Sequence, residues 1–247
     1  MKVTIWCLTP DGKSLDTNFG NDGIAAHEGA LDPGAADSGR TIKIDSQGRI
    51  LVAGRSIDYN TFELDSAVWR CSDQGVFDNT FGDGTHQGFT IIKAIGDDMA
   101  LDAADKIYLT GAGDQVMCIW KLNANGSPDT SFGVSGVQSY EAVINGESFN
   151  AAGYGIAIDL SGRLLICGKT SELSYPSVKE KIIVWRCSSD GVLDNNFGSN
   201  GNTVYSNGIE GSRQPNFILV DSDGKILVVG NEVNQNGDGS MIILRYK

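Results

Sequence analysis

Apolar and polar positions along this chain fall into short runs, and one run returns four times. It reads Asp45-Ser-Gln-Gly-Arg-Ile-Leu-Val-Ala-Gly54, Asp102-Ala-Ala-Asp-Lys-Ile-Tyr-Leu-Thr-Gly111, Asp159-Leu-Ser-Gly-Arg-Leu-Leu-Ile-Cys-Gly168 and Asp221-Ser-Asp-Gly-Lys-Ile-Leu-Val-Val-Gly230. The unbroken apolar stretch before each terminal glycine predicts a strand buried on both faces. Just upstream lie shorter alternating segments, Thr41–Asp45, Asp98–Asp102, Gly155–Asp159 and Phe217–Asp221. They predict a first strand, joined to the second by a two-residue turn that carries glycine in three copies and Asp105 in the other. A third strand carries a tryptophan: Ile5-Trp6, Val68-Trp69, Ile119-Trp120 and Val184-Trp185, each six residues before a glycine (Gly12, Gly75, Gly126, Gly191). A fifth copy, Ile242–Lys247, has Leu244 at the tryptophan position. The glycine is followed by Asp-x-x-Phe-Gly, spanning Asp16–Gly20, Asp78–Gly82, Asp129–Gly133 and Asp194–Gly198. Fourth strands are expected around Phe89–Lys93, Gly136–Tyr140 and Thr203–Tyr205. No helical periodicity competes with these strands.

Four antiparallel strands in each period of about 57–62 residues is the content of a β-propeller blade, and a repeat of this size sets the architecture before any single residue does. The expectation is an all-β protein, a single β-propeller domain over residues 1–247 with about four to five blades of four antiparallel strands. It divides into a partial repeat, 1–35, and repeats at about 36–95, 96–150, 151–212 and 213–247. There are four copies of strand two but five of strand three, one near each end. The count therefore leaves ring closure open. Trp69 and Trp185 share Trp-Arg-Cys-Ser, whereas Trp6 and Trp120 are followed by Leu8 and Leu122, a pattern expected from duplication of a two-repeat unit.

The combination of Asp-Gly-Lys-Ile-Leu-Val-x-Gly, an apolar-Trp-Arg strand and Asp-Gly-x-Leu-Asp-x-x-Phe-Gly resembles the delta-60 repeat, a bacterial repeat of β-propeller type. The resemblance recurs four times and covers nearly the whole chain. Tryptophan in strand three, where an aliphatic residue is more usual, is a local departure. The resemblance implies the fold and brings no shared active site with it.

Composition narrows the function classes. Of 247 residues, 40% are hydrophobic and 20% charged, which suits a globular chain; 32 glycines against 5 prolines suit many turns. The net charge of −12, without a basic cluster, argues against nucleic acid. No apolar run is long enough for a membrane helix, and Met1–Pro10 has neither the apolar core nor the cleavage site of a signal peptide. The compartment stays open between the cytoplasm and, if a signal had been removed, an extracytoplasmic location. The five cysteines are odd in number; Cys71 and Cys187 occupy a repeat position held elsewhere by Leu8, Leu122 and Tyr246, Cys167 one held by Ala53, Thr110 and Val229, and they read as small core residues.

Most eye-catching residues belong to the repeat. The tryptophans could stack on sugars, but their locked position favours blade-to-blade packing. Arg70, Lys121, Arg186 and Arg245 follow the tryptophan position, and with Asp16, Asp78, Asp129 and Asp194 they are expected to pair within blades or cap turns. Asn123–Gly126 and Asn234–Gly239 are rich in oxygen but lack the length and distal glutamate of a calcium loop. Ordinary turns and no cofactor are expected, with Asn234, Asn236 and Asp238 the residues from which a metal site would be built. His27 and His86 read as loop residues: no zinc spacing and no nucleophile elbow accompanies them. Ser188–Gly191 echoes only a fragment of the sialidase aspartate box.

Function is sought where the repeat fails to repeat. In a propeller, the turns from strand one to two and from three to four share one face, and here they are nearly invariant. The connections on the other face vary in length, and segments 24–40, 139–154 and 205–216 share little. Loops on a rigid scaffold are where binding concentrates. The variable segments are acidic and carry Tyr59, Phe62, Phe149 and Tyr175, the candidate ligand-binding residues. The reading is a non-enzymatic binding or scaffold propeller that recognises a protein or glycan through that face, with no catalytic residue assigned. The alternatives are a propeller hydrolase or lyase using loop carboxylates at the channel mouth, and a structural module of a larger surface protein that self-associates through its terminal strands.

Overall fold

The computed structural model describes residues 1–174, 177–206 and 211–246, and contains no helix among them. The strands fall where the repeat puts them. β1 (Val3–Trp6) pairs only with β2 (Ile24–His27). β3 (Ala36–Ile44), β4 (Ile50–Ile57), β5 (Leu64–Cys71) and β6 (Phe89–Ile92) form an antiparallel meander, and β7 (Ile95–Leu101), β8 (Ile107–Gly113), β9 (Val116–Leu122) and β10 (Val137–Tyr140) form a second in the same order. A small hairpin follows, β11 (Ala142–Ile144) with β12 (Glu147–Phe149). The third meander is β13 (Ala151–Ile158), β14 (Leu164–Ser174), β15 (Ser177–Cys187) and β16 (Asn202–Tyr205); the last sheet has three strands, β17 (Gly211–Val220), β18 (Ile226–Asn234) and β19 (Gly239–Tyr246). One parallel bridge, Lys179 to Gly211, links these two. This is the sheet content of a β-propeller.

Two compact units share the chain. The first comprises Met1–Asp97, Ala103–Ile107 and Leu122–Pro128; the second comprises Asp98–Asp102, Tyr108–Lys121 and Asp129–Lys247.

The first strands β3, β13 and β17 start earlier than the alternation predicts. The cause is a β-bulge, between Gly39 and Thr41, Gly153 and Gly155, and Pro215 and Phe217. A bulge inserts one unpaired residue and breaks the period of two on which sequence reading depends. It also explains the glycine that ends strand two. At the bulge the strands crowd together, and a Cβ on Gly54, Gly168 or Gly230 would strike the carbonyl oxygen of Ser38, Ala152 or Gln214.

The aspartate that opens the repeat clamps the turn at Asp45, Asp159 and Asp221. Asp45 Oδ1 accepts the N–H of Gln47 at 3.0 Å and of Arg49 at 2.9 Å, while Oδ2 accepts Arg49 Nε at 2.7 Å. Asp159 repeats this with Ser161 and Arg163, and Asp221 accepts the N–H groups of Asp223 and Lys225. Asp105, the one turn residue that is not glycine, adopts the same left-handed conformation at φ 58° and accepts the N–H and hydroxyl of Ser46.

The second motif joins one repeat to the next. The ring of Phe19 covers Gly75, Phe81 covers Gly126 and Phe132 covers Gly191, each so close that a Cβ would stand 2.8–2.9 Å from ring atoms. Arg70 lies 4.5 Å over the Phe81 ring and its Nη2 donates to Asp78 Oδ2 at 2.7 Å. Arg186 does the same with Phe197 and Asp194. In these two repeats the basic and acidic positions thus pair within the blade, whereas Asp16 accepts from Asn18 and Arg245 donates to Asp221.

Each sheet has a front, the side of the tryptophan, and a back. In the first unit the back of the β1–β2 pair (Val3, Ile5, Ala25) packs on the front of the next sheet (Val52, Ala67, Trp69). In the second unit, Tyr108 and Ile119 pack on Ile156, Ile166 and Trp185, and further on Leu165, Cys167 and Val184 pack on Ile218, Val228 and Ile242. Trp69, Trp120 and Trp185 are buried as expected, whereas Trp6 is exposed.

Candidate ligand-binding site

In the second unit a cleft of about 530 Å³ opens at the outer rim, between the fourth strands of two successive blades. One wall is built by segment 139–146, from the end of β10 into the β11–β12 hairpin. The hairpin turns on Asn145-Gly146, at φ 53° and 85°, the combination that suits the right-handed twist of paired strands. The other wall is the invariant loop that follows Asp194 and enters β16, with Leu193, Asn195, Ser199, Asn200 and Asn202 facing the cleft.

That loop is held from within. Asp194 Oδ1 accepts the Asn196 N–H at 3.0 Å and its Oδ2 accepts Arg186 Nε at 2.9 Å. Gly201 N–H donates to the Phe197 carbonyl at 2.9 Å, and Gly201 itself closes over Leu193. The Asn196 N–H, partly opposed by desolvation and joined by the Arg186 guanidinium, holds the Asp194 carboxyl below its ordinary pKa. Tyr140 closes the base: its hydroxyl donates to the Gly191 carbonyl at 2.6 Å, and burial raises its pKa.

The remaining polar groups are unspent. Ser139, Glu141, Asn145, Asn195, Ser199 and Asn200 are exposed, and their side chains make no hydrogen bond within the described residues. Amides and hydroxyls that donate and accept, set beside Val143, Leu193 and the Tyr140 ring, form a concave site with mixed polar and apolar walls. Glu141 is the one carboxylate in the lining.

The residues singled out from sequence lie elsewhere. Tyr59 and Phe62 are both exposed on the turn between β4 and β5. Asp58 organises that turn, accepting the Asn60 N–H at 2.7 Å and the Thr61 hydroxyl at 3.0 Å, and Phe62 has φ 59°. Phe149, on β12, is half-buried against the core, with Lys181 Nζ 5.8 Å from its ring centroid. Tyr175 lies outside the described residues. Asn234, Asn236 and Asp238 form the β18–β19 turn, where Asn234 Oδ1 accepts the N–H of Asn236 and of Asp238, both at 2.9 Å, and Asn234 Nδ2 donates to Asp238 Oδ2 at 3.0 Å.

His27 departs from its expected place in a loop: it ends β2, where Trp69 Nε1 donates to its Nδ1 at 3.2 Å. His86 does lie in a loop, 2.8 Å from Asp83. Sequence reasoning missed the cleft because one wall comes from the variable segment 139–154 and the other from an invariant loop some fifty residues on. No local motif spans the two.

Among solved structures, the fold is similar to a fucose lectin from Kordia zhangzhouensis solved in complex with methyl-fucoside (13% identity, TM-score 0.35, over 60% of this chain and 94% of that one). It is also similar to a family 43 glycoside hydrolase, the YxiA protein of Bacillus licheniformis (9% identity, TM-score 0.46, over 85% of this chain), of which it spans 56%. No curated protein matches the sequence. Two segments, residues 105–132 and 222–247, match the family described as a domain of unknown function (DUF5122) beta-propeller. Both begin within the turn that opens strand two and run into the Trp-bearing strand or its Leu244 counterpart, and the first continues to Phe132. The two matched segments are thus equivalent stretches of the chain's own repeat, and both are similar to a β-propeller domain.

Proposed function

We propose that this propeller is a non-enzymatic binding protein whose rim cleft takes a neutral, polyhydroxylated ligand of the glycan class. The observation that supports it is the set of six exposed, unspent amide, hydroxyl and carboxylate side chains around Tyr140. A sugar offers hydroxyls that both donate and accept, and C–H faces that lie on apolar or aromatic surface. Hydrolysis of a glycosidic bond calls for two carboxyl groups, and the lining supplies one, Glu141. Screening the full chain on a glycan array, followed by calorimetry, tests the reading. A hit whose affinity falls about tenfold or more in both Asn195→Ala and Asn200→Ala supports it. No glycan binding at millimolar concentration, or binding that both variants leave unchanged, sinks it.

A second reading rests on the Tyr59–Phe62 turn. Two exposed aromatic side chains share it, one on a backbone conformation that non-glycine residues seldom adopt. Exposed aromatics are enriched at protein interfaces, and local strain concentrates at functional positions. In this reading the turn contacts a protein partner. The double variant Tyr59→Ala/Phe62→Ala should abolish capture of any partner found by affinity purification, and unchanged capture would refute it.

A further inference from the structure

We propose that copies of this chain associate head to tail, the back of the last sheet of one copy seating on the front of the first strands of another. The argument comes from the chain's own repeats. Three times within its units the back of one sheet is sealed by the front of the next. The last sheet has the same kind of back, and among the described residues it is exposed. Leu227, Val229 and Ile243 are equivalent to Leu165, Cys167 and Val184, and Ile243 is 57% exposed where Val184 is 0%. Cross-strand pairing makes the surface continuous, because Phe217 lies opposite Val229 and Val229 opposite Ile243, with Met241 exposed beside them.

The matching front is equally open. Trp6 is 69% exposed, against 1%, 8% and 0% for Trp69, Trp120 and Trp185. Beside it Ile42 and Ile44 are exposed, whereas the equivalent Ile156 is buried. A groove of about 280 Å³ runs between β1 and β3, lined by Thr4, Trp6, Arg40 and Ile42. β1 is paired on one edge only, by β2, and an open edge invites another strand. The Gly12 turn stands clear, with no atom within 4 Å of a Cβ placed on it, whereas Gly75, Gly126 and Gly191 each lie under a phenylalanine of the preceding repeat.

The occupant that fits is therefore a surface of the same repeat, and this chain carries one. The two surfaces differ, so the contact is heterologous, and it either closes into a ring or extends into a filament.

Sedimentation velocity of the full chain, from micromolar to near-millimolar concentration, tests this. Wild-type protein should form larger species as concentration rises. Trp6→Glu and Ile243→Glu should each be monomeric, with far-UV circular dichroism and thermal melting to confirm that each is folded. Each variant keeps one good surface, so an equimolar mixture should recover a dimer and nothing larger. A wild-type monomer at every concentration would overturn the proposal, as would folded variants that still associate or a mixture that yields no dimer. If either glutamate variant fails to fold, Met241→Glu, at an exposed position of β19, takes the place of Ile243→Glu, and Ile42→Glu that of Trp6→Glu, under the same criteria.

Discussion

The ring of Phe81 lies against Gly126 so closely that a Cβ on the glycine would stand 2.9 Å from two ring atoms. The same glycine has φ 90°. Two separate penalties therefore attend Gly126→Ala: backbone strain of about 1 kcal/mol and overpacking of about 1–3 kcal/mol. Gly48, at φ 79° with no atom within 4 Å of its would-be Cβ, carries only the first. Urea unfolding should show Gly126→Ala losing clearly more stability than Gly48→Ala. Equal losses would mean that the ring moves aside freely.

Acid should weaken the loop that walls the cleft. The Asp194 carboxyl is held below its ordinary value of 3.8, first by the Asn196 N–H and, against partial desolvation, by Arg186. A carboxyl whose folded pKa is depressed contributes stability above its unfolded pKa and loses it as pH falls through the folded one. The contribution of Asp194 is therefore expected to be intact at neutral pH and to fade below about pH 4. Asp194→Asn should be less stable than wild type at pH 7, with the gap narrowing toward pH 3. A gap that stays constant with pH would exclude this ionic contribution.

The thiols should divide into one and four. Cys7 is half-buried; Cys71, Cys118, Cys167 and Cys187 are buried. Burial pushes the Cys71 thiol up to about 11 and the Cys187 thiol to about 12, so neither forms thiolate near neutral pH. A thiol-reactive dye should label one cysteine per native chain, Cys7, and all five in denaturant. Rapid native labelling at Cys71 or Cys187 would show that the sheets separate on the timescale of the reaction.

Arg213 and Glu232 face each other across β17 and β18. Arg213 is fully buried, its Nη2 donating to Glu232 Oε1 at 2.6 Å and its Nη1 to the Glu180 carbonyl at 3.1 Å. Glu232→Ala leaves a buried guanidinium short of its countercharge and should cost about 3–5 kcal/mol, whereas Arg213→Met, which removes the charge itself, should cost far less. Denaturation midpoints that rank the two variants the other way round would disprove this assignment.

Much of the fold was legible in the sequence because its packing demands recur. The strand-two run, the tryptophan strand and Asp-x-x-Phe-Gly each answer one physical requirement, repeated in every blade: a core with two apolar faces, a sealed interface and a clamped turn. What escaped was local irregularity. The bulges at Arg40, Tyr154 and Asn216 reset the alternation and hid the first half of strand one. The β11–β12 hairpin did carry a signal, Asn145-Gly146 directly after the apolar run Ala142–Ile144, that can be read as a tight turn. The cleft carried none: Asn195 and Asn200 sit in a loop whose frame is invariant, and only folding brings them opposite Glu141. Exposed aromatics such as Tyr59 and Phe62 stand out in a sequence, while a site built of asparagine and serine looks like any turn.

The latch between repeats also has a direction. Phe19, Phe81 and Phe132 each precede in the chain the glycine they cover, Gly75, Gly126 and Gly191. During synthesis, a blade leaving the ribosome presents its phenylalanine before the docking glycine has been made. The seal of each blade is thus completed only by residues of the blade that follows it, and a chain cut between two blades would leave one aromatic ring uncovered at the cut.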